Sequence, residues 1–132
     1  MEHTYVMIKP DGVRRGLVGE VLGRLERKGL RLEQIRGLTI DEELANRHYA
    51  EHADKPFFGE LIAFITSGPV VATEWSGESA VSVVRSLVGA TDPAQADPGT
   101  LRGDLGLAVT ENLVHASDSV DSAKRELELF FG

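Results

Sequence analysis

Residues Tyr5–Gly29, YVMIKPDGVRRGLVGEVLGRLERKG, decide the fold class. Tyr5–Ile8 is a short apolar run, β-branched in part, which is the pattern of a buried strand. Lys9-Pro10-Asp11-Gly12 ends it, because Pro10 cannot donate to a ladder and Asp-Gly favours a turn. Val18, Val21, Leu22 and Leu25 then recur at i, i+3, i+4, i+7, the stripe of an amphipathic helix. Lys28 suits the last turn of that helix and Gly29 the left-handed cap after it. A buried strand followed directly by a half-buried helix is the unit from which a helix-covered sheet is built.

The same alternation continues to the end of the chain. Leu30–Ile40 begins with strand alternation and then shifts phase, which places a bulged strand there with the slip near Gln34–Gly37. Thr39-Ile40-Asp41-Glu42 has the form of a capping box and opens a short helix through Leu44, Ala45, His48 and Tyr49. Pro56 fits the first turn of the next helix, whose stripe is Phe57, Phe58, Leu61, Ile62 and Ile65. Val70–Trp75 is a third strand, Ser76-Gly77 a turn, and Val81, Val84, Leu87 and Val88 mark a helix closed by Gly89. Residues 90–106 have no periodicity, and so long a structureless loop in a compact domain points to function. Leu107–Val114 is expected to be the last strand. Ser119–Phe131 is expected to be the last helix, with Val120, Ala123, Leu127 and Phe130 on one face. The order β-α-β-(α-α)-β-α-loop-β-α implies an α+β fold. A ferredoxin-like βαββαβ core with a four-stranded antiparallel sheet covered by helices accommodates it. No repeat or linker divides the chain, so residues 1–132 are expected to form a single domain.

The 132 residues are 42% hydrophobic and 27% charged, ordinary values for a globular protein. There is no cysteine, which excludes disulfides, thiolate metal sites and cysteine nucleophiles and fits a reducing compartment. No apolar stretch reaches the length of a membrane span and no secretory signal opens the chain, so the expected location is cytoplasmic. A net charge of −7 argues against generic nucleic-acid binding. It leaves room for a phosphate ligand held by a few converging cations.

Lys9, Arg85 and Arg102 are such cations on separate segments. If they converge, they make a pocket for a polyphosphate, with the guanidiniums gripping oxygens in bidentate fashion. Neither G-x-x-x-x-G-K-[ST] nor G-x-G-x-x-G occurs, so side chains and the long loop would have to hold a nucleotide. Asn112–Ser119 supplies the nucleophile candidate. His115 stands between an apolar dipeptide and the polar start of a helix, a pattern that also describes a surface histidine beside a cap. A neutral imidazole is a competent nucleophile near pH 7. Glu126, on the following helix, could hold one ring nitrogen and leave the other free. Phe57 and Val109 are candidate platforms for a base, and Tyr49 a hydroxyl donor. His3, His48 and His52 offer no metal-like pairing.

Taken together, Thr4–Gly16 (TYVMIKPDGVRRG), Lys55–Phe58, Ser67–Val71, Pro98–Asp104 and the run NLVHASDS at Asn112–Ser119 resemble, in order, the nucleoside diphosphate kinases. The resemblance covers essentially the whole chain. It implies ping-pong transfer of a γ-phosphate through Nδ1 of His115, with nucleoside di- and triphosphates as partners and Mg2+ carried mostly by nucleotide and water. It also implies that Glu126 and Ser117 orient the histidine, and that Lys9, Tyr49, Arg85, Thr91, Arg102 and Asn112 hold phosphates and ribose. Phe57 and Val109 would sandwich the base. A homo-oligomer, hexamer or tetramer built from dimers, is implied, with no membrane or specific nucleic-acid partner and no metal held by protein ligands alone. Two departures stand out: Ala116 where the family usually has glycine, and an end at Gly132 without the longer tail of many members. The readings from other classes are a ferredoxin-like nucleotide sensor without turnover, an RNA-binding module and a phosphohistidine hydrolase.

Overall fold

Thr4–Ile8 are buried without interruption, and the rest of the chain is arranged to cover them. In a computed structural model, which describes residues 1–132, they belong to strand β1, Glu2–Ile8. The other strands are β2 (Arg31–Leu38), β3 (Val70–Gly77) and β4 (Val114–Ala116). Their order across the sheet is β2-β3-β1-β4 with every neighbour antiparallel, the ferredoxin-like arrangement. Successive side chains of β1 point to opposite faces. Val6 and Ile8 therefore enter one core, with Val21 and Leu25 of helix α2 (Val18–Lys28) and Val84 and Val88 of α5 (Ala80–Val88). Tyr5 and Met7 enter the other, with Ala45 of α3 (Glu42–His48), Ile65 of α4 (Phe58–Ile65) and Phe130 of α7 (Val120–Phe131).

Pairing places His115 opposite Met7 and Val114 opposite Ile8. His115 consequently points to the face covered by α3 and α7, while Val114 and Ala116 pack into the α2–α5 core. Helix α2 ends as its sequence requires, on Gly29 at φ 110°.

Several local expectations change. The Asp11-Gly12 segment is not a plain turn but opens the short helix α1 (Pro10–Arg14). Pro10 stands in its first turn, where a missing N–H costs nothing. A side chain at Gly12 would collide with Ile8 at 2.8 Å and the Leu113 carbonyl at 3.0 Å, so the chain can turn there only on glycine. The register slip of β2 falls between Leu32 and Gln34, earlier than expected. The cap of α3 is Asp41, which accepts from the Leu44 N–H at 2.8 Å, rather than Thr39. Pro56 precedes α4 instead of opening it. Ser76 and Gly77 continue β3, and the turn into α5 is made by Ser79 at φ 51°.

Residues 90–106 are partly regular. A 3-10 turn at Pro93–Gln95 is capped by Asp92, and helix α6 (Leu101–Leu105) is capped by the Thr100 hydroxyl. The long last strand is the largest correction: only Val114–Ala116 pair. Leu113 adopts φ 76°, a left-handed conformation incompatible with a ladder, and Leu107 and Val109 lie in exposed irregular chain. On α7 the buried positions are Ala123, Glu126 and Phe130, with Val120 exposed.

Candidate active site

His115 Nε2 and Glu126 Oε2 are 2.8 Å apart. The other carboxylate oxygen accepts a hydrogen bond from the Ser117 hydroxyl at 2.5 Å. Burial alone would raise the Glu126 carboxyl, but the hydrogen bond and charge of His115, with the Ser117 hydroxyl, hold it below its ordinary value. An ionised carboxylate on Nε2 places the ring proton there and leaves Nδ1 for a ligand. The chain builds this arrangement by geometry alone: β4 fixes His115 against Met7, and α7 turns Glu126 inward as part of its buried stripe.

His115 opens into a cavity of about 560 Å³. One wall is cationic. Lys9, at the end of β1, donates from Nζ to Asn112 Oδ1 at 2.8 Å, and Asn112 Nδ2 donates to the Thr91 carbonyl at 2.9 Å. Arg102 on α6 is 3% exposed and donates to the carbonyls of Asn112 (3.2 Å), Gly89 (3.1 Å) and Val114 (2.6 Å). Arg85 on α5 donates to the Ala116 carbonyl at 3.1 Å. Burial, and then the Arg102 charge, lower the Lys9 ammonium to about 8, against a smaller opposing pull from Asp11. Burial, and then Arg85, lower Arg102 to about 10, which leaves it charged at neutral pH. Three crowded cations raise one another's energy, and an anion in the cavity relieves it.

The rest of the lining is partly apolar and hydroxylic. Phe57 and Val109 keep 44% and 52% of their surface open toward solvent, so each offers a free face. Burial, and then the Glu126 charge, push the Tyr49 hydroxyl up to about 12, so it remains a donor at neutral pH. Every cavity residue singled out from sequence lines this space except Ser117, which stands behind Glu126. Ala116 stands where no glycine-like backbone is needed: its φ is not positive, and its carbonyl serves Arg85.

Two contributors were missed. Asp11 is buried and accepts the Leu113 N–H at 3.0 Å, while the Lys9 N–H bonds the Leu113 carbonyl at 2.8 Å. These bonds hold the left-handed residue that carries Asn112 and His115. His48 is 3% exposed, and its ring meets that of His115 edge-on at 4.7 Å. Burial, and then the neighbouring His115, lower its imidazole to about 3. The available signal was a histidine on the apolar stripe Leu44, Ala45, His48, Tyr49. The reading that His3, His48 and His52 offer no metal-like pairing changes for His48, which groups with His115 and Glu126.

The chain matches the family model for nucleoside diphosphate kinase over residues 2–132. It is 63% identical to the nucleoside diphosphate kinase of Archaeoglobus fulgidus over 131 residues, 99% of this chain and 87% of that protein. It is 61% identical to that of Rubrobacter xylanophilus over 132 residues, 100% of this chain and 99% of that protein. Among solved structures, the halophilic nucleoside diphosphate kinase of Halobacterium salinarum in complex with CDP superposes with a TM-score of 0.96. That alignment has 55% identity and covers 98% of this chain and 87% of that one. The Encephalitozoon cuniculi enzyme, in its apo form, gives a TM-score of 0.98 at 40% identity, covering 100% and 90%.

Proposed function

The chain belongs to the nucleoside diphosphate kinase family, and from that membership we infer how its own residues carry the reaction. It is a phosphotransferase that moves the γ-phosphate of a nucleoside triphosphate to a nucleoside diphosphate. Nδ1 of His115 attacks the γ-phosphorus, a P–N bond forms, and the P–O bond to the departing diphosphate breaks. The ring keeps its Nε2 proton and becomes cationic, and the Glu126 carboxylate at 2.8 Å stabilises that charge. A second diphosphate then takes the phosphoryl group by the reverse displacement. The Glu126-held histidine at the mouth of a cationic cavity carries this reading, and a nucleotide sensor without turnover would have no use for it.

Phosphoryl transfer needs positioning and charge stabilisation more than covalent help. Lys9, Arg85 and Arg102 supply the charge, and Asn112, Thr91 and Tyr49 fix phosphates and ribose. Phe57 and Val109 stack the base and present no hydrogen-bonding side chain to its edge, which suits purines and pyrimidines alike. Magnesium takes oxygen ligands, whereas the one tight donor cluster supplies two imidazoles with a carboxylate, so the cavity fits Mg2+ as an ion carried in by the nucleotide. Asp118, kept below its usual pKa by the Ser122 hydroxyl, stands on the cavity wall and would hold that ion, which neutralises phosphate charge. The enzyme acts as one domain, residues 1–132. Self-assembly into a tetramer or hexamer is supported by the open edge of β2, where Ile35 is 52% exposed. Polyanionic substrates do not cross membranes unaided, so the proposed compartment is the cytoplasm.

Initial rates with ATP and GDP varied together test the reading. Parallel double-reciprocal lines are expected, and lines that intersect would require a ternary complex instead. A second test concerns pH. Lys9 loses its charge as pH rises through about 8, so kcat/KM for the free enzyme is expected to fall there. Bound phosphate favours the protonated amine, so the corresponding limb of kcat lies at higher pH. A kcat/KM profile flat to pH 10 would remove Lys9 from this role.

A further inference from the structure

His48 is used by no step above. It is 3% exposed, lines the cavity, and neither ring nitrogen has a hydrogen-bond partner. A buried imidazole with both nitrogens idle is a polar group awaiting a ligand. One donor atom from each of His48, His115 and Glu126 lies within 4.8 Å of the others. Two imidazoles and one carboxylate, with a further position open to the cavity, form a donor set for zinc, cobalt, nickel or copper ions rather than magnesium or calcium. Metal–ligand bonds near 2.0 Å in a tetrahedron set donor atoms about 3.3 Å apart. His115 Nε2 and Glu126 Oε2, at 2.8 Å, would open slightly, and His48 would close in by no more than about 1.5 Å on the same geometry.

We propose that His48, His115 and Glu126 form a binding site for a divalent transition cation of the zinc class. The ion takes the place of the proton between His115 and Glu126. Three metal–ligand bonds form as three bonds from the ion to water break, the Nε2–H bond breaks, and the ring proton is carried instead on Nδ1, so a neutral imidazole binds the ion with no net release of a proton. The ion draws density from the imidazole and engages the carboxylate that would otherwise support a phosphorylated ring. Metal binding therefore opposes phosphorylation, and by linkage phosphorylation opposes metal binding. The site stands on geometry alone, whereas this consequence rests on the proposed role of His115.

The test uses protein free of nucleotide and magnesium. It is titrated with Co2+ under visible absorption and with Zn2+ by calorimetry in buffers of different ionisation enthalpy. One ion per chain, the intense absorption of four- or five-coordinate cobalt and a zinc-binding enthalpy independent of the buffer are expected. His48→Phe and His48→Asn, checked by thermal melting, should each weaken zinc binding at least about tenfold. His3→Asn and His52→Asn should leave it intact. Pale, octahedral cobalt in the wild type would overturn the site without recourse to any variant. Wild-type zinc affinity in a folded His48 variant, or a loss that follows His3 or His52, would also overturn it. Labelling from γ-labelled ATP with excess Mg2+ should slow in the presence of Zn2+. If the site is filled and labelling is unchanged, the inhibitory consequence is wrong.

Discussion

Replacement of His115 by glutamine is expected to lower phosphotransfer by about 10⁴-fold or more, the scale on which removal of a covalent nucleophile acts. Glutamine keeps a polar group within reach of Glu126, so that carboxylate is not stranded in its buried position. The site borders an open cavity, and the substitution should change stability by about 1 kcal/mol at most. Activity and folding therefore separate in this variant. An exchange assay between ATP and GDP, paired with thermal melting, reads both. Wild-type exchange in His115→Gln would mean that the phosphoryl group passes directly between nucleotides or through another side chain.

Arg102→Ala should damage both properties at once. The guanidinium ties the carbonyl of Gly89, just after α5, to those of Asn112 and Val114 in the segment that carries His115. Its removal leaves buried acceptors without a donor and the α6 loop without its anchor, at a cost on the order of 3 kcal/mol. It also deletes the most deeply buried cation of the phosphate wall, for which a loss of roughly 10³-fold in kcat/KM is expected. Arg14→Ala is the matched control. Arg14 lies outside the cavity, 3.5 Å from the Ser67 hydroxyl and beside the Phe64 ring, and its loss should alter kcat/KM by less than about twofold. Equal kinetic effects of the two substitutions would contradict the roles assigned here.

Legibility of the sequence followed how local the governing physics was. Helix α2 and its Gly29 cap were readable because stripe, length and stop signal all lie within a dozen residues. The cavity residues were readable because a resemblance carried them, position by position, onto side chains that do meet. Strand β4 was misjudged because the apolar residues before it suggest a ladder, whereas Asp11 and Lys9, about a hundred positions away, hold Leu113 in a left-handed turn. The hidden helix α6 has only five residues, too few for a stripe, and depends on the Thr100 cap. His48 escaped because its isolation from hydrogen-bond partners and its contact with His115 exist only after α3 packs on the sheet. The pairing of Glu126 with His115 was readable, but its burial was not, because a carboxylate is tolerated inside only once His115 and the Ser117 hydroxyl satisfy its two oxygens.

The most direct measurement of the mechanism is isolation of the half-reacted enzyme. The protein is incubated with γ-labelled ATP, freed of nucleotide, examined for label and then mixed with GDP. One acid-labile phosphate per chain is expected, assigned by phosphorus NMR to Nδ1 of His115 and moved to GDP on mixing. A protein that retains no label, or one that loses it to water at a rate indifferent to GDP, would contradict transfer through a phosphohistidine.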